Sequence, residues 1–288
     1  MRFPLASLAL AALLSLPAAA SAAELTPFAD PSRLVSIGGS LTEIIYALGE
    51  ERLLVARDQT ATYPAAAQAL PDVGYMRQLA PEGVLSVSPT ALLVIEGSGP
   101  PDALDVLAHA GVAYQTVPEG FSAAGVIAKV RAVGQALGVP DKAEALASRL
   151  DADFAALAKQ TSAIAAPRRV LFILSNQGGQ IQASGTGTAA DGIIALAGAV
   201  NAVTDYPGYK ALSEEAITAA APDVILMMDR GGDHSASDAD LLAHPAVALT
   251  PAGRNKAIYR LDGAYLLGFG PRTAAAAAEL SALIYGAH

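Results

Sequence analysis

Eight short apolar runs, divided into two sets of four by one amphipathic segment, constrain this chain more than any other feature. The runs lie at 33–37, 53–56, 91–95 and 114–117, and again at 170–174, 180–183, 224–228 and 258–261. They are mostly continuous rather than alternating, as expected for parallel strands covered on both faces. Longer alanine- and leucine-rich stretches separate them, which implies βαβ units. The dividing segment, 140–164, opens with Pro140 just after Gly138, and proline suits a first helical position. Ala143, Leu146, Leu150, Phe154 and Leu157 then recur at three- and four-residue spacing, an apolar stripe on a helix. Ala166-Pro167 ends it. Such a helix spans on the order of 35 Å. The expected fold is α/β: two Rossmann-like lobes with mainly parallel sheets, joined by a single long rigid helix, with a ligand cleft between the lobes.

An internal echo supports two related lobes. Tyr75, Leu79, Glu82 and Pro89 precede the run at 91–95, and Tyr209, Leu212, Glu215 and Pro222 precede the run at 224–228. The leucine-to-glutamate and glutamate-to-proline spacings are the same in both. Ile44-Ile45-Tyr46-Ala47-Leu48-Gly49 is likewise echoed by Ile193-Ile194-Ala195-Leu196-Ala197-Gly198, each reading as the end of a helix closed by glycine.

The N-terminus indicates the compartment. Arg2, the apolar run 5–16 and Ala20-Ser21-Ala22 read as a secretory signal peptide, too short to serve as a permanent membrane anchor. The expected partition is a signal peptide at 1–22, an N-terminal lobe at 23–138, the linker helix at 139–166 and a C-terminal lobe at 167–288. The chain has no cysteine. It therefore has no thiolate metal site, no cysteine nucleophile and no cysteine to carry a lipid, and is expected to diffuse freely in a periplasm. The net charge is −9, or −10 once Arg2 is removed. An acidic surface of this kind argues against nucleic acid or anionic lipid as partners.

The segment Val73-Gly74-Tyr75-Met76-Arg77-Gln78-Leu79 carries the candidate chemistry. In an extended segment, side chains at i and i+2 share a face, so the Arg77 guanidinium would lie beside Tyr75 and stabilise a phenolate. A phenolate is a hard oxygen donor for ferric iron, and tyrosine serves as an axial haem ligand. A half-buried turn tyrosine beside a solvated arginine is the competing reading of the same residues.

Taken together, the signal peptide, Arg33-Leu34-Val35-Ser36-Ile37-Gly38-Gly39-Ser40-Leu41-Thr42-Glu43, Gly74-Tyr75-Met76-Arg77, the linker helix and Pro222-Asp223-Val224-Ile225 resemble the periplasmic haem-binding proteins of haem ABC importers. The resemblance covers essentially the whole mature chain. It implies capture of ferric haem b as transported ligand, with Tyr75 as the iron's axial ligand and Arg77 holding that tyrosine ionised. The porphyrin, a large flat apolar plate, would gain further affinity from a hydrophobic pocket. It also implies that Arg230, after the run at 224–228, reaches the distal face or a propionate, although a surface salt bridge with Asp229 or Asp233 is open to it. Tyr209 is a candidate cleft residue but lacks a following x-Arg. Glu82 and Glu215 match the glutamates that dock on arginines of an inner-membrane ABC permease with its ATPase, one per lobe. The implied protein is a monomer, served indirectly by an outer-membrane haem receptor system. A corrinoid (vitamin B12) or ferric siderophore is the alternative cargo.

Among the histidines, His109 reads as a helix end, His244 as a loop residue and His288 as the terminus, and His234 lies on a loop near Arg230 from which it could supply a second ligand. Five-coordinate iron on Tyr75 alone is the simpler expectation. Enzyme signatures are weak: Gly38-Gly39-Ser40 and Gly185-Thr186-Gly187-Thr188 form neither a dinucleotide fingerprint nor a P-loop, and there is no G-x-S-x-G elbow. A periplasmic hydrolase is a remote alternative.

Overall fold

The computed structural model describes residues 25–229 and 237–286, with Gln177 described by its backbone. The candidate signal peptide, Arg230, His234 and His288 lie outside these residues. The first sheet is built from β1 (Leu34–Ile37), β2 (Leu54–Arg57), β3 (Ala91–Ile95) and β4 (Ala113–Val117), interleaved with helices α1 (Gly39–Ala47), α2 (Pro81–Leu85), α3 (Pro101–His109) and α4 (Ala123–Ala136). Its order is β2-β1-β3-β4 with every pairing parallel. β1 and β3 are buried along their whole lengths, which explains their unbroken apolar runs. The strand order reverses direction between β1 and β3, the place where open α/β sheets hold ligands at the carboxyl ends of their strands.

Helix α5 (Pro140–Thr161) follows, 22 residues long, or ~33 Å at the α-helical rise. Its expected stripe of Ala143, Leu146, Leu150, Phe154 and Leu157 is buried. A bidentate pair from Arg131 to Glu144, at 2.7 and 2.8 Å, ties α5 to α4.

The second sheet contains β5 (Arg169–Gln177), β6 (Gln180–Ser184), β7 (Val200–Asn201), β8 (Tyr209–Ala211), β9 (Val224–Asp229) and β10 (Ile258–Asp262). With it come α6 (Ala189–Leu196), α7 (Glu214–Ala220), α8 (Asp238–Ala243), α9 (Pro245–Ala248), α10 (Pro251–Asn255), α11 (Gly263–Leu267) and α12 (Thr273–Tyr285). β10, β9, β5 and β7 are parallel, whereas β6 runs antiparallel to both of its neighbours, β5 and β8. The run at 180–183 is thus one arm of a hairpin rather than a strand of a βαβ unit. The cause is local: Gly178 and Gly179 have φ of 60° and 83°, the two positive values that a tight type I′ connection demands.

One continuous apolar core runs through both lobes, from Leu34, Leu41 and Val130 through Leu150 and Phe154 of α5 to Phe172, Ile193 and Leu280. α5 packs against α4 on one side and α12 on the other.

Candidate functional site

The Tyr75–Arg77 pair exists, but a turn makes it. Tyr75 accepts a backbone hydrogen bond at its carbonyl from Gln78, 2.8 Å away, so Met76 and Arg77 are the central residues of a tight turn rather than part of a strand. That bend brings Arg77 Nη1 within 2.9 Å of the Tyr75 hydroxyl oxygen. The extended geometry expected from the spacing is therefore corrected, while the contact it was meant to produce is present. Gly74 starts the bend at φ 103°, a region that L side chains avoid.

The turn is fastened at both ends to the carboxyl edge of the first sheet. On one side the Val73 N–H donates to Arg57 O at 3.0 Å and the Gln59 N–H to Gly74 O at 2.8 Å. On the other, the Leu79 N–H donates to Gly99 O and the Gly99 N–H to Met76 O, both at 2.9 Å. Asp72 accepts from the Gly74 N–H at 2.8 Å and pairs with Arg57 at 3.2 Å. A phenol and a guanidinium are thus presented together on a backbone with little freedom.

Tyr209 occupies a different setting from its echo partner. It starts edge strand β8, opposite Ser184, and its ring meets Phe172 edge-on at 6.4 Å. The side chain is 38% exposed overall, yet its hydroxyl end turns inward toward Thr188, Ser184 and the start of α6. Burial pushes this phenol above its ordinary range; the Thr188 hydroxyl, the Arg77 guanidinium, Ser184 and the Ala190 N–H pull more weakly the other way. At neutral pH it is a neutral phenol. The Arg77 guanidinium of the first lobe is thus near enough to act on this second-lobe phenol through space.

The two lobes meet beside these residues along a seam the sequence did not announce. Phe121, after β4, contacts Phe269 edge-on at 5.2 Å. Lys129 of α4 is fully buried, pairs with Glu119 at 2.6 Å and donates to Phe269 O at 3.0 Å. Phe269 itself has φ 48°, which for a bulky residue persists only when its surroundings hold it. Glu43 of α1 accepts from the Arg272 backbone N–H at 3.1 Å and from its Nε at 3.0 Å. The Arg272 guanidinium lies 3.6 Å over the Tyr63 ring and 5.1 Å from the Tyr265 ring. The available signal was a charge inside an apolar helical stretch, Glu43 as the sole charge of α1 and Lys129 between Ile127 and Val130 in α4; buried charges are rare unless paired.

Glu82 and Glu215 take equivalent places, exposed in the first turns of α2 and α7, the helices that lead into β3 and β9. The Glu215 carboxyl is lowered by its own backbone N–H and by Ser213. Beside it, Glu214, Thr218, Pro245, Ala246 and Leu249 line a shallow groove. His109 Nδ1 and His244 Nε2 each contact a backbone carbonyl, of Asp105 at 2.7 Å and Gly179 at 3.2 Å. Among the described residues no three His, Cys, Asp or Glu side chains converge as a metal site. A cavity of about 610 Å³ lies between α4 and α5, and Tyr75, Arg77 and Tyr209 are not among the residues that line it.

A two-lobed α/β architecture, bridged by one helix and presenting polar side chains at the carboxyl edge of a parallel sheet, defines a solute-binding protein. Residues 34–265 match the model of the Periplasmic binding protein family, and the chain belongs to that family. Its relatives narrow the class to substrate-binding transport proteins rather than enzymes. The periplasmic heme-binding protein BhuT, solved in complex with two hemes, is 42% identical, covers 88% of this chain and 97% of its own, and superposes with a TM-score of 0.83. The periplasmic heme-binding protein RhuT from Roseiflexus sp. RS-1, in apo form, is 40% identical over 88% of this chain and 98% of its own, at 0.84. An uncharacterized ABC transporter substrate-binding lipoprotein of Bacillus subtilis (strain 168), YvrC, is 27% identical over 269 residues, 92% of this chain and 84% of its own.

Proposed function

We propose that this protein captures ferric haem b in the periplasm and hands it to an inner-membrane ABC importer. The observation that carries this reading is the 2.9 Å hydrogen bond from Arg77 to the Tyr75 hydroxyl on a fastened turn. A guanidinium at that distance offers a charge partner to a phenolate ligand, and a phenolate is the oxygen donor that ferric iron takes. Similarity to heme-binding proteins over nearly their whole length supports the same cargo. Tyr75 serves as the axial ligand and Arg77 as its charge partner. The neutral Tyr209 phenol lines the facing wall without ligating iron, and Arg230 is assigned the role of contacting the distal face or a propionate.

Glu82 and Glu215 dock the two lobes on a two-fold permease, their matched places giving each lobe the same contact. Without cysteine the mature protein carries no lipid anchor and works as a free periplasmic monomer. Titrating the purified protein with haem, cobalamin and a ferric siderophore in parallel tests the cargo. Haem is expected to bind most tightly; tighter binding of either competitor overturns the assignment.

A further inference from the structure

We propose that Asp58 is the positioning residue of the ligand site, its buried carboxylate fixing the turn that presents Tyr75 and Arg77. The inference rests on the haem-binding reading above. Asp58 follows β2 directly and is fully buried. Its Oδ1 accepts from the Gly38 N–H at 3.0 Å and its Oδ2 from the Thr60 N–H at 3.0 Å. The Thr60 hydroxyl lies 2.9 Å from both oxygens and in turn accepts from the Gly39 N–H at 2.8 Å. One carboxylate thereby locks the start of α1 to the loop after β2. Gln59 sits between the two locked residues, and its N–H holds the Gly74 carbonyl at 2.8 Å, one residue before Tyr75. The Met76 backbone N–H, inside the turn, acts on the same carboxylate.

The cost of this arrangement argues for its purpose. Burial pushes the Asp58 carboxyl above its ordinary value, and the surrounding N–H and O–H donors only partly pull it back. Among the described residues no salt bridge includes it, since Arg57 reaches only its backbone carbonyl and pairs with Asp72. The ionised group therefore detracts from stability at neutral pH while organising three loops. Asparagine does not replace it, because its amide turns a donor toward an N–H that needs an acceptor.

The test compares full-length mature protein carrying Asp58→Asn with wild type and with Thr250→Val. Thr250 is a buried helix cap in the second lobe, bonded to Val247 O at 2.7 Å, and its loss lowers stability without touching the turn. Haem release rate, the tyrosinate charge-transfer band and melting temperature are measured on each. Asp58→Asn is expected to release haem at least ~10-fold faster with a weakened band, and Thr250→Val to stay within ~2-fold with a full band. Should Asp58→Asn not fold, Thr60→Val removes only the bridging hydroxyl and is expected to speed release ~3-fold. Wild-type release and band in Asp58→Asn, or in Thr60→Val where that variant stands in, overturn the positioning role, as does an equal loss in Thr250→Val. A wild-type protein without any tyrosinate band overturns the haem reading itself.

Discussion

Replacing Arg77 with methionine isolates the electrostatic half of the site. Methionine keeps an unbranched stem of similar reach and removes the guanidinium that lies 2.9 Å from the Tyr75 hydroxyl. A hydrogen bond to a charged partner contributes roughly 1.5–3 kcal/mol. Exposed ion pairs contribute less, about 0–1 kcal/mol, and Arg77 is exposed. The fastened backbone lowers the entropy cost of holding the pair, and a bound plate would remove water from one side of it. An intermediate figure of about 2 kcal/mol follows, or ~30-fold in affinity. The loss is expected mainly in the release rate, as for most changes within one interface. Stopped-flow release of haem into an excess of scavenging globin measures it, alongside equilibrium titration. Unfolding of the ligand-free protein should shift by less than about 0.5 kcal/mol, since Arg77 is a surface side chain. Release and affinity within twofold of wild type would refute the reasoning and return Arg77 to the status of a solvated charge.

Two further outcomes follow from other parts of the molecule. Glu82→Ala with Glu215→Ala should abolish transport by the reconstituted importer while leaving haem affinity within about twofold, because both carboxylates are exposed and neither is bonded to Tyr75 or Arg77; transport and titration of the double variant check it. Lys129→Met should cost about 1–3 kcal/mol in urea unfolding near pH 7, less than the usual toll of an orphaned buried charge because Glu119 keeps access to solvent. Burial holds Lys129 below its ordinary value of 10.5. Between that lowered value and 10.5 the unfolded chain binds more protons than the folded one, so this group's contribution to stability rises as pH rises through the lowered value and levels off above 10.5. Unfolding curves across that window should lose this rising component in Lys129→Met.

The parallel strands and the linker helix were legible because burial on two faces, or on one helical stripe, leaves a periodic record in the residues. β3 matches its apolar run residue for residue, and the stripe from Ala143 to Leu157 is the buried face of α5. The β5–β6 hairpin had a local signal too, Gly178-Gly179, which the expectation of uniform βαβ units leaves out. Tyr75 and Arg77 were paired for a geometric reason that the backbone does not follow: a spacing of two suits a strand, and it also suits the middle of a tight turn. The seam was hidden because its contacts join residues far apart in the chain, such as Glu43 with Arg272 and Lys129 with Phe269. Asp58 was invisible for a related reason. An aspartate after a strand is ordinary, and only the converging N–H groups of Gly38 and Thr60 show what it holds.

The central claim is that the Tyr75 oxygen ligates ferric iron, and the absorption spectrum of the haem-loaded protein tests it most directly. Wild type should show a high-spin ferric spectrum with a phenolate-to-iron charge-transfer band, and Tyr75→Phe, which deletes only the oxygen, should lose that band. The same spectrum from both proteins would contradict the account.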